Sequence, residues 1–278
     1  MSQYLSAERV QTASGKQYHI GCGPGDLASY ILLCGDPARV DKVAKLLKNV
    51  KPAIKHREYV SITGTWQGIP VSVMATGMGP DNTEIAVVEI AQIVESPTLI
   101  RIGSSGGLKK EAAIGDLAIS TGAVRLENTT DFFVCDGYPA VAHHEVLLAL
   151  IEAADQSNFS YHVGLTATAP GFYGAQGRTV PKFAPKDPEL PKKLDSMNVI
   201  NLEMEASVLF VLGNLAGLRT GAVCALYNNR HLNRFIDEAT MKKAEAECIE
   251  TGLKAIEILS RMDKIRGKKK HWTPSMGI

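Results

Sequence analysis

The sequence predicts an α/β domain with a largely buried sheet. Three observations carry that expectation. Short runs rich in Val and Ile alternate with segments of helical period, several of the runs end in glycine-containing turns, and no internal repeat or long linker interrupts the series. The 278 residues read as one domain, 1–278, with an N-terminal extension at 1–17 and a basic C-terminal tail at 264–278.

In chain order, strands are expected at 30–34, 59–64, 69–75, 98–102, 117–121, 161–167, 199–202 and 221–226. Helices are expected at 38–47, 82–94, 144–156, 188–197, 205–215 and 238–262. The last of these puts Met241, Ala244, Cys248, Ile249, Leu253, Ile256 and Leu259 near one face, as an amphipathic helix should. Beyond it, Arg266 and Lys268–Lys270 form a basic run, read here as a solvated end rather than a nucleic-acid contact.

Composition excludes several classes. Hydrophobic residues at 45% and charged residues at 21% fit a globular enzyme and not a disordered chain. A net charge of +1 argues against a protein built to coat nucleic acid. No apolar run reaches the roughly 20 residues needed to span a bilayer, and residues 1–17 carry no apolar signal core. The five cysteines, Cys22, Cys34, Cys135, Cys224 and Cys248, form no C-x-x-C pair. Reduced, buried thiols in a cytoplasmic protein are expected.

Four segments at or after expected strand ends bear chemistry, at the edge where open α/β sheets bind ligands. In Gly35-Asp36-Pro37-Ala38-Arg39, a glycine admits close backbone approach, a helix start offers free N–H groups and Arg39 adds a fork of donors. Asp36 reads as the helix cap, since a carboxylate would repel an anion. Thr76-Gly77-Met78-Gly79-Pro80 is a strand-to-helix turn with an unusual backbone path. Arg101-Ile102-Gly103-Ser104-Ser105-Gly106-Gly107 brings a cation, two hydroxyls and accessible N–H groups to one strand end, which suits a tetrahedral oxyanion. In Asn201-Leu202-Glu203-Met204-Glu205-Ala206, two carboxylates flank a Met where a strand becomes a helix. One of them can grip sugar hydroxyls, or both can be acids of a helix N-terminus.

Two further pieces follow. Gly171-Phe172-Tyr173-Gly174-Ala175-Gln176-Gly177-Arg178 joins an aromatic, an amide and a guanidinium. An amide matches the edge of a uracil, and Arg can stabilise charge on a leaving base. Tyr227-Asn228-Asn229-Arg230 closes another apolar strand. The dinucleotide G-x-G-x-x-G, P-loop, G-x-S-x-G and H-E-x-x-H patterns are absent, and His143-His144 reads as surface. No metal site is expected.

These motifs together resemble a known family. Gly35-Asp36-Pro37-x-Arg39, His56-Arg57-Glu58-Tyr59, Arg101-Ile102-Gly103-Ser104-Ser105-Gly106, Phe172-Tyr173-x-x-Gln176-x-Arg178 and Glu203-Met204-Glu205 occur in the order found in nucleoside phosphorylases of the uridine and hexameric purine type. The resemblance runs from about His19 to Met262. It implies a three-layer fold with a twisted mixed sheet and a small barrel-like part. The implied reaction is reversible phosphorolysis of uridine to uracil and ribose 1-phosphate. Gly35, Arg39, Arg101 and Ser104 would hold phosphate, with Arg57 reaching from a neighbouring subunit. Met204 and Glu205 would hold ribose, with a neighbour's His19 near its 5′ hydroxyl. Phe172, Gln176 and Arg178 would hold the base. Arg101, Glu205 and Arg178 would be the catalytic residues. Phosphate is then a co-substrate, no cofactor is required, and sites at subunit borders imply a homo-oligomer, a dimer or a trimer of dimers.

Purine members of the family place an Asp where this chain has Asn228-Asn229-Arg230. An amide cannot protonate a purine, so the base expected here is a pyrimidine. The chain departs from the family at Asp81-Asn82, where a Ser is usual. Rival readings are a purine phosphorylase or nucleosidase of the same fold, a non-catalytic nucleoside-binding protein, and an unrelated dinucleotide oxidoreductase. A nucleosidase has no need of Arg39, Arg57 and Arg101 together, and a binding protein would not need Glu205 intact.

Overall fold

The structure is a computed structural model that describes residues 6–278; of the expected N-terminal extension, residues 1–5 lie outside the described residues. The chain opens with strand β1 (Tyr30–Cys34), helix α1 (Pro37–Ala44), strands β2 (Ile54–His56), β3 (Tyr59–Trp66) and β4 (Ile69–Ala75), and helix α2 (Pro80–Ala91). Next come β5 (Thr98–Gly107), β6 (Leu117–Arg125), β7 (Ala140–Val141), α3 (His144–Gln156), β8 (Tyr161–Thr168) and α4 (Leu190–Ser196). It ends with β9 (Val199–Glu203), α5 (Ala206–Leu215), β10 (Arg219–Asn229), β11 (Arg234–Phe235) and α6 (Glu238–Arg266).

All the strands form one mixed sheet, in the order β11-β10-β6-β8-β9-β5-β1-β4-β3-β2, with β7 beside β6. A second pairing, β10 with β5, closes the run β5-β9-β8-β6-β10 into a small barrel. The sheet continues from β5 into the open arm β1-β4-β3-β2. Strand alternation sends successive β1 side chains to opposite faces. Leu32 joins a core with α1, α3 and α6, whereas Ile31 and Leu33 join one with α2 and α5. Helices therefore cover both faces, which is why β1 and β5 are buried almost throughout.

Every expected strand and helix is present, with some boundaries moved. Strand β5 does not turn at Ile102 but runs on through Gly107, pairing with β10 from Thr98 to Gly107. The glycine-serine composition reads locally as a turn, but the glycines serve close packing instead. A Cβ on Gly103 would stand 2.8 Å from Cys224 Sγ, and one on Gly106 2.7 Å from Asn228 Oδ1. Strand β10 likewise extends to Asn229. The short strands β2, β7 and β11 were not expected; two or three residues carry too little periodicity to be read.

Asp36 caps α1 as expected, accepting from the Ala38 N–H at 2.9 Å. Helix α6 buries Ala244, Cys248, Ile249, Leu253, Ile256 and Leu259. Three readings of burial need correction. The tail after α6 is docked rather than wholly solvated: Trp272 is buried in the core, and its backbone N–H donates to Glu145 Oε1 at 3.1 Å. His143 is half-buried and caps α3 by accepting from the Glu145 N–H; burial pushes its imidazole down to about 4. Cys135 is exposed, while the other four cysteines are buried. Among the described residues no helix is long and apolar enough to cross a membrane.

Gly252 shows how tightly α6 sits on the sheet. A Cβ there would come within 2.6 Å of Ile102 Cγ2 and 3.2 Å of Leu32 Cδ2. Alanine favours a helix over glycine by about 1 kcal/mol, but overpacking costs about 1–3 kcal/mol. Gly252→Ala is therefore expected to lower, not raise, the denaturant midpoint of unfolding.

Candidate active site

Several chain segments meet at one end of the barrel and enclose a cavity of about 520 Å³. Its wall is built from the start of α1, the turn after β4, the middle of β5, the loop after β8, and the junction of β9 with α5, together with the end of β10. The volume suits a small ligand. Gly35, Arg39, Arg101, Ser104, Phe172, Gln176, Arg178, Met204 and Glu205 all line it. Segments from Gly35 to Phe235 thus converge on one space.

Gly35 is needed where two loops touch, since a Cβ on it would lie 3.3 Å from the Gly77 carbonyl oxygen. That contact leaves the helix start and Arg39 facing the cavity. Arg39 is buried, and its guanidinium is aimed by two acceptors: Nε donates to Glu245 Oε1 at 2.8 Å and Nη1 to the Ile102 carbonyl at 2.9 Å. Lys42 also bonds Glu245, so one carboxylate of α6 holds two cations of α1. Burial alone would raise the Glu245 carboxyl, but the hydrogen bonds from Lys42 and Arg39 outweigh it and hold the group below the usual carboxylate range.

Arg101 is the centre of the site. Its side chain rises from β5 between two carboxylates, with Nε donating to Glu203 Oε2 at 2.9 Å and Nη2 ion-paired with Glu205 Oε2 at 2.5 Å. Glu203 is fully engaged elsewhere too, accepting from Thr168 Oγ1 and from the backbone N–H groups of Glu205 and Ala206. Its carboxylate therefore caps α5 and anchors Arg101. Glu205 accepts from the Gly79 N–H at 2.7 Å through its other oxygen, tying α5 to the turn after β4. Burial pushes the Glu205 carboxyl up, and the nearby Glu203 adds to this, against the pull of Arg101.

At the far end, Arg178 Nη1 donates to the Phe172 carbonyl at 2.6 Å and to Gln176 Oε1 at 2.5 Å. Its guanidinium lies over the Phe172 ring, 3.7 Å from the centroid. Burial, with the charge of Arg230, lowers Arg178 to about 10. The bond from Arg178 leaves the Gln176 Nε2 group as a donor. This end of the cavity thus offers an aromatic plane, an oriented amide and a guanidinium.

His19 and Arg57 do not line the cavity. His19 bonds Glu89 at 2.7 Å through Nδ1, and its carbonyl contacts His56 Nδ1 at 2.8 Å. Arg57 sits exposed in the turn between β2 and β3, over the ring of Tyr18. The two expected neighbour-reaching residues therefore lie on one patch, outside their own chain's cavity. Asp81, in place of the usual Ser, accepts from Thr129 Oγ1, and the Asn82 carbonyl accepts from Tyr59 OH, so both serve local structure.

Comparison with known proteins agrees with this geometry. The family model described as the phosphorylase superfamily matches residues 29–257. The chain belongs to the phosphorylase superfamily. It is 44% identical to a uridine phosphorylase of Thermococcus kodakarensis, over 99% of both chains. It is 34% identical to a uridine phosphorylase of Treponema pallidum, over 90% of this chain and 96% of the relative. A solved Trypanosoma brucei nucleoside phosphorylase, described as showing uridine phosphorylase activity, matches with a TM-score of 0.81 and 26% identity, over 90% of this chain and 99% of that one.

Within this phosphorylase fold, two carboxylates that aim the site's arginines escaped the sequence reading. Glu203 was noticed but not assigned, because its partners Arg101 and Thr168 come from other strands. Glu245 gave no signal, since an acid on a long charged helix is ordinary until Arg39 is seen against it. Removing one member of a buried ion pair costs about 3 kcal/mol. Glu245→Ala is expected to lower the unfolding free energy by that order at neutral pH. Because Glu245 titrates low when folded, its contribution is full above the ordinary carboxylate range and is lost as pH falls through its depressed value. The gap between variant and parent in urea titrations should therefore shrink as the buffer is taken below about pH 4.

Proposed function

We propose that this phosphorylase-superfamily enzyme cleaves uridine with inorganic phosphate, giving uracil and ribose 1-phosphate. The observation that carries the reading is one shared cavity of about 520 Å³ with Arg39, Arg101 and Ser104 at one end, Glu205 between, and Gln176 and Arg178 at the other. The relatives named uridine phosphorylase support it at full length.

Phosphate sits against Gly35, Arg39, Arg101 and Ser104 in this reading, with Arg57 of a neighbouring subunit completing the set. Ribose lies between, its hydroxyls donating to Glu205 while Met204 packs against the sugar and a neighbour's His19 meets the 5′ hydroxyl. As the C1′–N1 bond breaks, its electron pair goes to the uracil ring and the sugar becomes oxocarbenium-like. A phosphate oxygen then forms the new bond to C1′. The fixed arginines supply orientation and electrostatic stabilisation, and Arg178 with Gln176 stabilises the negative charge on the departing uracil, which takes a proton afterwards. The scheme uses no metal or organic cofactor.

The base end favours a pyrimidine. Its lining contains Phe172, Gln176, Arg178, Asn228 and Phe235, and the cavity's acids, Asp36, Glu203 and Glu205, are committed to a helix cap and to Arg101. A purine leaving group gains from an acid, and Asn228-Asn229 supplies amides. Asn229 is moreover spent on the Lys109 and Ala112 carbonyls. The shared patch of His19 and Arg57, outside their own chain's cavity, supports a homo-oligomer, a dimer or a trimer of dimers, with sites at subunit borders. Unbridged cysteines support a cytoplasmic setting.

Ultraviolet absorbance on uridine and inosine, each with and without phosphate, tests the reading. Uracil release that requires phosphate is expected. Release without phosphate would make it a nucleosidase, and turnover of inosine alone would overturn the base assignment. Glu205→Ala and Arg178→Ala should each lower kcat/KM about a hundredfold or more. For the shared site, Arg57→Ala and Glu205→Ala are each expected to be weak alone. Co-refolded mixtures should regain activity, because some borders then pair an intact Arg57 with an intact Glu205; no recovery would refute the neighbour's role.

A further inference from the structure

Behind the base end lies a second cavity, of about 370 Å³, between the 177–180 loop and the hairpin joining β10 to β11. It shares Phe172, Arg178, Asn228 and Phe235 with the larger one, so the two adjoin. Arg230 and Arg234 line only the second.

The charge here is uncompensated. Arg39, Arg101, Arg125, Arg219 and Arg266 each lie within 4.0 Å of a carboxylate. Among the described residues, no carboxylate approaches Arg178, Arg230 or Arg234 in this way, and no Asp or Glu lines the cavity. Arg230 Nη1 is buried with no hydrogen-bond partner. Burial lowers Arg230 and Arg178, the latter also through the charge of Arg230. Arg234 stands exposed at the rim, but the half-buried Arg178 and Arg230 face one another without a counter-charge, and a buried donor left unused is costly unless an acceptor fills the space. The leaving base accounts for Arg178, which lies at its edge, but not for Arg234.

Resting on the uridine reading, we propose that this second cavity is an anion subsite that takes a carboxylate carried on a pyrimidine ring. The ring lies in the base site against Phe172, and its carboxylate projects between Arg230 and Arg234. Guanidinium forks match the two carboxylate oxygens, and the aromatic walls of Phe172 and Phe235 suit a flat ligand better than a free small ion. The walls that the two cavities share make the carboxylate an extension of the base. Carboxylated uracils then act as tight competitive ligands of the nucleoside site.

The test compares thymine, uracil-5-carboxylate and uracil-6-carboxylate as inhibitors of uridine phosphorolysis at saturating phosphate. At least one carboxylate should inhibit about tenfold more tightly than thymine, and raised salt should erode that advantage. In Arg234→Ala, uridine turnover and thymine inhibition should stay within about twofold of the parent, while the carboxylate advantage disappears; Arg234→Lys should keep part of it. Thymine binding as tightly as both carboxylates overturns the proposal, as does a carboxylate advantage unchanged in Arg234→Ala. Calorimetric titration of the unaltered protein with the three ligands at low and high salt decides the matter even if the variant does not fold. Absence of phosphate-dependent uracil release from uridine would overturn the functional reading separately, with the calorimetric comparison still deciding the subsite.

Discussion

The burial of Arg101 between Glu203 and Glu205 is the interaction on which the rest of the site depends. A guanidinium taken out of water is tolerable only with its charge matched and its donors used. Matching it here draws together three parts of the chain. Arg101 belongs to β5, Glu203 ends β9, and Glu205 begins α5 while also holding the turn after β4 through Gly79. The same bonds that make the cation affordable define the middle of the cavity wall.

A charge arranged in this way is preorganised. Arg39 is treated alike, its Nε and Nη1 occupied by Glu245 and the Ile102 carbonyl, so its direction is set before a ligand arrives. Arg178 is held by the Phe172 carbonyl and by Gln176. Each arginine of the main cavity is thus positioned by acceptors from its own chain. That is the condition under which electrostatic stabilisation costs little reorganisation during reaction. Arg230 and Arg234 stand apart from this pattern, with no carboxylate to set them among the described residues.

The architecture explains how such distant residues meet. Pairing of β5 with β10 closes the barrel, and that pairing needs the small residues of the Gly103–Gly107 stretch. A side chain at Gly106 would collide with Asn228, and one at Gly103 with Cys224. The glycines therefore admit neighbouring side chains rather than make a turn, and the strand continues along the cavity instead of stopping at its edge.

Much of this was legible in the chain itself. Alternating apolar runs determine the strands and helices of the three layers, because burial on a sheet face or a helix stripe demands that periodicity. The local chemistry of Gly35-Asp36-Pro37, Gln176-x-Arg178 and Glu203-Met204-Glu205 marks the site, because caps, amides and guanidinia act over short sequence distances. Tertiary structure alone decided what depends on partners far away in sequence. It turned the glycine-serine segment into strand, made Glu203 the anchor of Arg101 and Glu245 that of Arg39, and folded Trp272 of the tail back into the core. It also gathered Arg178, Arg230 and Arg234 around one space. A carboxylate or guanidinium looks the same in sequence whether it faces water or a buried opposite charge; only the fold sets its neighbours, and with them its role.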